Sequence, residues 1–196
     1  MKKLKLFSIL IFSQVIFFKS FGQEVTLLEG SFKILKAEPT VDIEFTYDSL
    51  QVGKYKIEAD YVEKKVTEIN KKYPGKGDAW AKEWTAQRKT KFQPAFITAF
   101  KESSVKDTSV QSKYTLIFNT SYIEQGFSSA AILVHKNPEV RGTLTLVASD
   151  DRTKIIAEAR ITKAMGRAGP HFETGEHLDA AYDQAGSALG TFILNN

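Results

Sequence analysis

The chain contains no cysteine. That absence excludes disulfide bridges, thiolate chemistry, Cys-ligated metals and attachment through a lipid-modified N-terminal cysteine. The fold must therefore rest on its apolar core alone, and a domain of this size buries ~70% of its extended-chain surface. Proline is scarce, with five residues, each placed where an element breaks or a helix starts. After Phe18 no stretch approaches the ~20 apolar residues needed to span a bilayer. No Gly-x-Ser-x-Gly elbow, phosphate-binding loop or dinucleotide fingerprint is present. The sequence thus names no cofactor, and Gly75-Lys76-Gly77-Asp78 lacks the spacing of a phosphate loop.

What the chain does have begins at its first residues. Met1 to Lys5 carries three lysines and no acid, Leu6 to Phe18 is apolar apart from Ser8, Ser13 and Gln14, and Ser20-Phe21-Gly22 presents small residues at a cleavage position. That order of basic, apolar and small-x-small segments predicts a secretory signal peptide over residues 1–22, followed by one α+β domain over 23–196. The apolar run would reach only ~20 Å as a helix, against a hydrocarbon core of ~30 Å.

The leader also distorts the charge. Of 27 Lys+Arg, four (Lys2, Lys3, Lys5, Lys19) precede Gln23 and no acid does, so the remainder carries 23 basic and 23 acidic residues. The pI of 9.1 is mostly the leader's. Nucleic-acid binding calls for a clustered basic face. Lys64, Lys65, Lys71, Lys72 and Lys76 are interleaved with Glu58, Asp60, Glu63 and Glu68, which reads as a solvated helix face. We expect no nucleic-acid partner, no membrane span in the mature chain and no lipid anchor.

Periodicity places the elements. Gly30 to Lys36 alternates loosely and reads as a strand. Thr40 to Asp48 alternates strictly, with Val41, Ile43, Phe45 and Tyr47 on one face. Lys56 to Tyr73 repeats at helical spacing until Pro74-Gly75 breaks it. Asp78 is the expected N-cap of a second helix bearing Trp80 and Trp84, and Pro94 the first turn of a third, with Phe96, Ala99 and Phe100 facing inward. The second half is mostly β: Lys113–Ile123, Ala130–His135, and a hairpin of Val140–Ala148 and Lys154–Thr162. Thr174 is a cap for a final helix with the stripe Leu178, Ala181/Tyr182, Ala185, Ala188/Leu189 and Phe192. Gly186 and Gly190 in that helix imply a close backbone approach, expected against the sheet, because helical glycine otherwise costs ~1 kcal/mol. The expected fold is a largely antiparallel sheet of about six strands, a helical insertion after the second strand, and a C-terminal helix packed on the sheet.

Chemistry has few candidates. His171-Phe172-Glu173-Thr174-Gly175-Glu176-His177 gathers two imidazoles and two carboxylates, a possible Zn²⁺ ligand set in His171, Glu176 and His177. The histidines are six apart rather than four, and acids before a helix also serve its dipole. Asp150-Asp151 and Glu38/Asp42 imitate paired catalytic carboxylates but sit where turns are built. Trp80 and Trp84, one turn apart, form either a binding platform for a sugar or peptide or part of the helix core.

Val52-Gly53-Lys54-Tyr55, Glu58 to Lys65, Gly77-Asp78-Ala79-Trp80 with Trp84 and Arg88, Phe92 to Phe96, and Ala180 to Gly190 resemble a group of small exported proteins of Bacteroidetes. The resemblance covers most of the mature domain and brings no site residues with it; in such a host Asp48-Ser49-Leu50 resembles an O-glycosylation pattern. The function expected from the sequence is a non-catalytic cell-envelope binding or accessory module, periplasmic or secreted, with an envelope protein or glycan as partner. The alternative is a hydrolase or metal-dependent enzyme working near His171–His177.

Overall fold

The computed structural model describes residues 25–109, 111–129, 134–166 and 177–196. The leader, His171, Glu173, Thr174 and Glu176 lie outside the described residues. In chain order the elements are β1 (Val25–Gly30), a 3-10 turn (Phe32–Ala37), β2 (Thr40–Thr46), β3 (Gln51–Val52), α1 (Glu58–Lys72), α2 (Lys76–Gln87), a π turn (Arg88–Phe92), α3 (Gln93–Ser104), β4 (Asp107–Thr108), β5 (Tyr114–Glu124), β6 (Phe127–Ser129), β7 (Val134–Lys136), β8 (Glu139–Ala148), β9 (Ile155–Met165) and α4 (Leu178–Asn195).

The fold is α+β, with its C-terminal helix on the sheet. Strand order is β1-β9-β8-β5-β2-β4, and β3 joins β5 beyond the end of β2. The sheet is mixed rather than largely antiparallel throughout. The long ladders β1–β9, β9–β8 and β8–β5 are antiparallel, whereas β2 and β3 both run parallel to β5. The parallel pairing follows from the helical insertion, which returns the chain to the sheet in its original direction. No described helix is long and apolar enough to cross a membrane.

Alternation decides which face is dry. Val41, Leu116, Phe118, Leu144, Leu146, Ala157, Ala159 and Ile161 are buried on the helix side. Asp42, Glu44 and Thr46 share the opposite face, where Arg152 of the β8–β9 turn pairs with Glu44. Gly30 to Lys36 is not a strand. β1 ends at Gly30, and Ser31 caps a 3-10 turn by accepting from the Lys33 N–H, so that Phe32 and Leu35 rather than alternate residues are buried. A period-two strand would place Phe32 with Ile34, whereas a turn of period three buries Phe32 with Leu35, and the Ser31 cap selects the turn.

The second helix begins three residues earlier than expected. Gly75 in the left-handed region is its N-cap, and Asp78 lies in the first turn. The side chain of Asn70 in α1 instead takes the Gly77 N–H at 2.8 Å and donates to Asp78, joining the two helices at their shared turn. From Trp84 onward Arg88, Phe92, Phe96 and Phe100 recur at every fourth position. In an α-helix that spacing drifts by ~40° per step. The π turn over Arg88–Phe92 takes up part of the drift, and its wider turn also accommodates Pro94, which has no N–H to donate.

The glycines of α4 face α3 rather than the sheet. A Cβ on Gly186 would lie 2.1 Å from the carbonyl oxygen of Phe96, and one on Gly190 would lie 2.7 Å from Ser103 Cβ and 2.9 Å from the Phe100 carbonyl oxygen. Ser103 and Ser187 exchange a 3.0 Å hydroxyl hydrogen bond on the same seam. The sheet-facing side of α4 is instead Leu178, Ala181, Tyr182, Ala185 and Leu189, all fully buried. Between the layers Phe96 stacks on Phe118 at 5.0 Å, and Phe92 stacks on Tyr182 at 5.1 Å. Gly186→Ala gains ~1 kcal/mol of helix propensity but forces a methyl into backbone. It should lose about 2 kcal/mol net and lower the melting temperature by about 4–8 °C. A melting curve at or above wild type would show that α3 and α4 do not touch there.

Candidate functional site

The aromatic helices close over one polar network. Tyr61 of α1 is buried, and its ring meets Tyr55 at 5.6 Å, Trp84 at 5.5 Å and Trp80 at 5.9 Å. Trp80 and Trp84 stack with centroids 6.0 Å apart. Trp84 is only 4% exposed and its Nε1–H donates to Glu58 Oε1 at 2.6 Å. It is therefore core rather than an open platform; Trp80 is half-buried against it. Arg88, delivered by the π turn, bonds the same Glu58 oxygen and lays its guanidinium 4.1 Å from the centre of the Tyr47 ring. Sequence spacing places Arg88 on the Trp stripe, but nothing in it announces Glu58 as the common acceptor of the Trp84 and Arg88 donors.

Beyond Arg88 the network reaches the sheet. The Tyr47 hydroxyl is buried without a hydrogen-bond partner of good geometry; Gln93 and Tyr182 are its polar neighbours, and burial raises its pKa. Tyr182 is wholly buried and its hydroxyl shares a 3.1 Å hydrogen bond with Thr120. Desolvation holds its phenol well above the ordinary range.

On the other side of Tyr61 the chain leaves a cleft of about 470 Å³. Its floor is Tyr61, whose hydroxyl donates to the side-chain amide oxygen Oε1 of Gln125; desolvation again raises the phenol's pKa. One end is the turn Val52-Gly53-Lys54-Tyr55, closed by Val52 N–H to Tyr55 O at 3.0 Å and the reverse bond at 2.9 Å, with Gly53 at φ +56°. Lys54 Nζ stands 5.5 Å from the centre of the Tyr55 ring. The far wall is Glu124 to Phe127, and Lys65 and Lys136 flank the opening. Glu124 accepts from Lys136, which raises the lysine's pKa, and from the Tyr122 hydroxyl at 3.4 Å. Three lysines thus line the cleft with one carboxylate, which Lys136 holds. This cleft escapes sequence reasoning because its residues come from four separate segments, although Lys54-Tyr55 and Lys65 both lie within stretches that carry the family resemblance.

A second recess of about 590 Å³ lies at the other end of the sheet, beside Ser112, Tyr114, Ser149 and Lys154. Three of its polar side chains are committed internally: Ser112 to Thr40, Ser149 to Thr115, and Lys113 to Glu38. The Asp150-Asp151 pair forms a turn, with Asp151 accepting from both the N–H and the hydroxyl of Thr153. Glu38 is bound by Lys113 while Asp42 lies on the wet sheet face, so neither couple is a facing carboxylate pair. Among the described residues no group of three or more His, Asp or Glu side chains gathers as metal ligands. His171 and Glu176 fall outside those residues, and His177 is the N-cap position of α4.

No family model matches the chain, and no curated protein matches it. Among solved structures it is similar to the PelC dodecamer from Paraburkholderia phytofirmans, at 12% identity and a TM-score of 0.38, over 84% of this chain and 95% of that one. A point variant of that dodecamer aligns at 10% identity and the same TM-score of 0.38, over 87% of this chain and 95% of the other. A TM-score of that size does not establish a common fold.

Two measurements test the network. Trp84→Ala removes a buried ring and a donor to Glu58, and should cost about 3–5 kcal/mol in denaturant unfolding; a small loss would return Trp84 to the candidate binding residues. For Tyr61 and Tyr182 the folded pKa is raised above the unfolded value of ~10. Their stabilising contribution is complete below pH ~10 and falls as pH rises beyond it. Their phenolate absorbance should therefore appear only together with loss of the far-ultraviolet circular dichroism. Titration of every tyrosine near pH ~10 in the folded protein would contradict this.

Proposed function

We propose that the protein is an exported, non-catalytic binding module of the cell envelope, periplasmic or secreted, and that its ligand enters the cleft beside Tyr55 and Tyr61. The observation that carries this reading is the imbalance of charge over a fixed floor. Lys54, Lys65 and Lys136 line the cleft with the one carboxylate Glu124, which is paired to Lys136, beside a Tyr61 side chain that is buried and hydrogen-bonded to Gln125. A neutral domain that concentrates cations at one concave site is arranged to receive an anionic group. Tyr61 is tied to Gln125 and Glu124 to Lys136, an arrangement that orients a ligand rather than one that activates a nucleophile. The leader and the resemblance to small exported Bacteroidetes proteins support the location.

The test is a pull-down from envelope fractions with the mature protein and with Lys65→Glu. Wild type should recover a partner that the variant loses, with both proteins equally folded by circular dichroism. Equal recovery by the two, or turnover of a generic hydrolase substrate panel by the wild type, would overturn the proposal.

A further inference from the structure

We infer that the cleft takes an acidic peptide segment in extended conformation, laid along the free edge of β6 as an added strand; the inference rests on the binding function proposed for the cleft.

The first support is register. β5 and β8 end their ladder at Glu124↔Glu139, and β6 and β7 resume at Phe127↔Lys136. Three residues forward on one strand match three backward on the other, so the two ladders are a single antiparallel ribbon. It is bent where Gln125-Gly126 faces Asn137-Pro138, with Gly126 at φ +72° and a proline that cannot donate to the ladder.

The second support is a missing neighbour. Along β5 the side away from β8 is filled by β2 and then by β3, whose partners are Tyr122 and Ile123. β3 stops at Val52, and the chain turns back through Gly53 to Tyr55. The ribbon continues into β6 without a neighbour on that side among the described residues. The cleft is this vacant strand position, between β6 and α1 and capped by the Val52–Tyr55 turn. On an edge strand alternate residues turn their N–H and C=O outward, and an extended segment ~4.8 Å away satisfies them.

The third is charge. Lys54 and Lys65 form no ion pair among the described residues, while Glu124 is already held by Lys136. Acidic side chains on alternate positions of an added strand would reach them. Peptide is favoured over an acidic glycan because the Lys54 ammonium sits by the Tyr55 ring, where a sugar would stack, and because the vacancy has the geometry of a strand.

The probes are a blocked octapeptide of alternating glutamate and valine, its lysine–valine counterpart, and polygalacturonate, each titrated into the mature chain at low salt by calorimetry and amide NMR. The acidic peptide should bind and shift the Phe127–Ser129 amides, the basic one should not, and Lys54→Glu with Lys65→Glu should weaken binding about tenfold. Methylating alternate backbone nitrogens, in both registers, keeps the charges while blocking strand addition. One register should lose binding. Retention by both registers, or binding of polygalacturonate in place of the peptide, would overturn strand addition and leave the cleft as a binding site. Failure of every probe, together with an envelope pull-down that ignores the lysine variants, would remove the binding reading as well.

Discussion

The contact between α3 and α4 governs more of this molecule than its size implies. Gly186 and Gly190 let α4 lie directly on the backbone of α3. The approach brings Phe96 over Phe118 and Phe92 over Tyr182, which seats the helices on the sheet. Because α3 continues from α2 through the π turn, the same contact fixes where Arg88 arrives. Arg88 holds Glu58, Glu58 holds Trp84, and Trp84 with Trp80 walls in Tyr61, the floor of the cleft. In a chain without disulfides this series of close contacts does the work of covalent ties.

Legibility in the sequence follows the range of the interactions. Thr40–Asp48, Lys113–Ile123 and the β8–β9 hairpin announce themselves because alternation over many residues has one explanation. The strand expected at Gly30–Lys36 fails because its few apolar residues fit a 3-10 turn equally well, and one Ser31 cap decides. The Asp78 cap fails for a different reason. The helix starts earlier, at the Gly75 cap, and the Gly77 N–H of its first turn is taken by Asn70 from the preceding helix, so capping passed between elements. The Gly186/Gly190 pair signals close approach correctly but not to what, since a glycine says only that something is near. Their target, like the site itself, is a long-range property. The every-fourth-residue stripe from Trp84 to Phe100 is the one missed local signal, because it already implies a helix that cannot remain α throughout.

Charge is where sequence and structure complement each other most closely. Without the four lysines that precede Gln23 the remaining residues are balanced in charge, which removes any argument from overall basicity. The balance is nevertheless uneven in space. Some surface acids and bases meet across short distances, as Lys64 with Glu68, Lys101 with Asp107 and Arg152 with Glu44. Such exposed pairs contribute ~0–1 kcal/mol each and mark no site. What distinguishes the cleft is that three lysines line one concavity with a single carboxylate, a property that neither composition nor net charge expresses.

The same lysines also bear on how the molecule avoids unwanted partners. An open strand edge invites pairing with any extended chain, and lysine is a common means of discouraging it. The other edges of the sheet are blunted by shape: β4 is two residues long, and β1 carries a register irregularity between Leu27 and Glu29. β6 is short but relieved of neither its backbone groups nor its vacancy. Cations placed around that vacancy repel basic segments and leave neutral ones without compensation for desolvating the ammonium groups. Only an acidic segment gains from both the edge and the charge. Under the strand addition proposed for the cleft, protection of the edge and selection of the ligand are one electrostatic arrangement, which accounts for an open edge on β6, a strand paired only to β7 among the described residues.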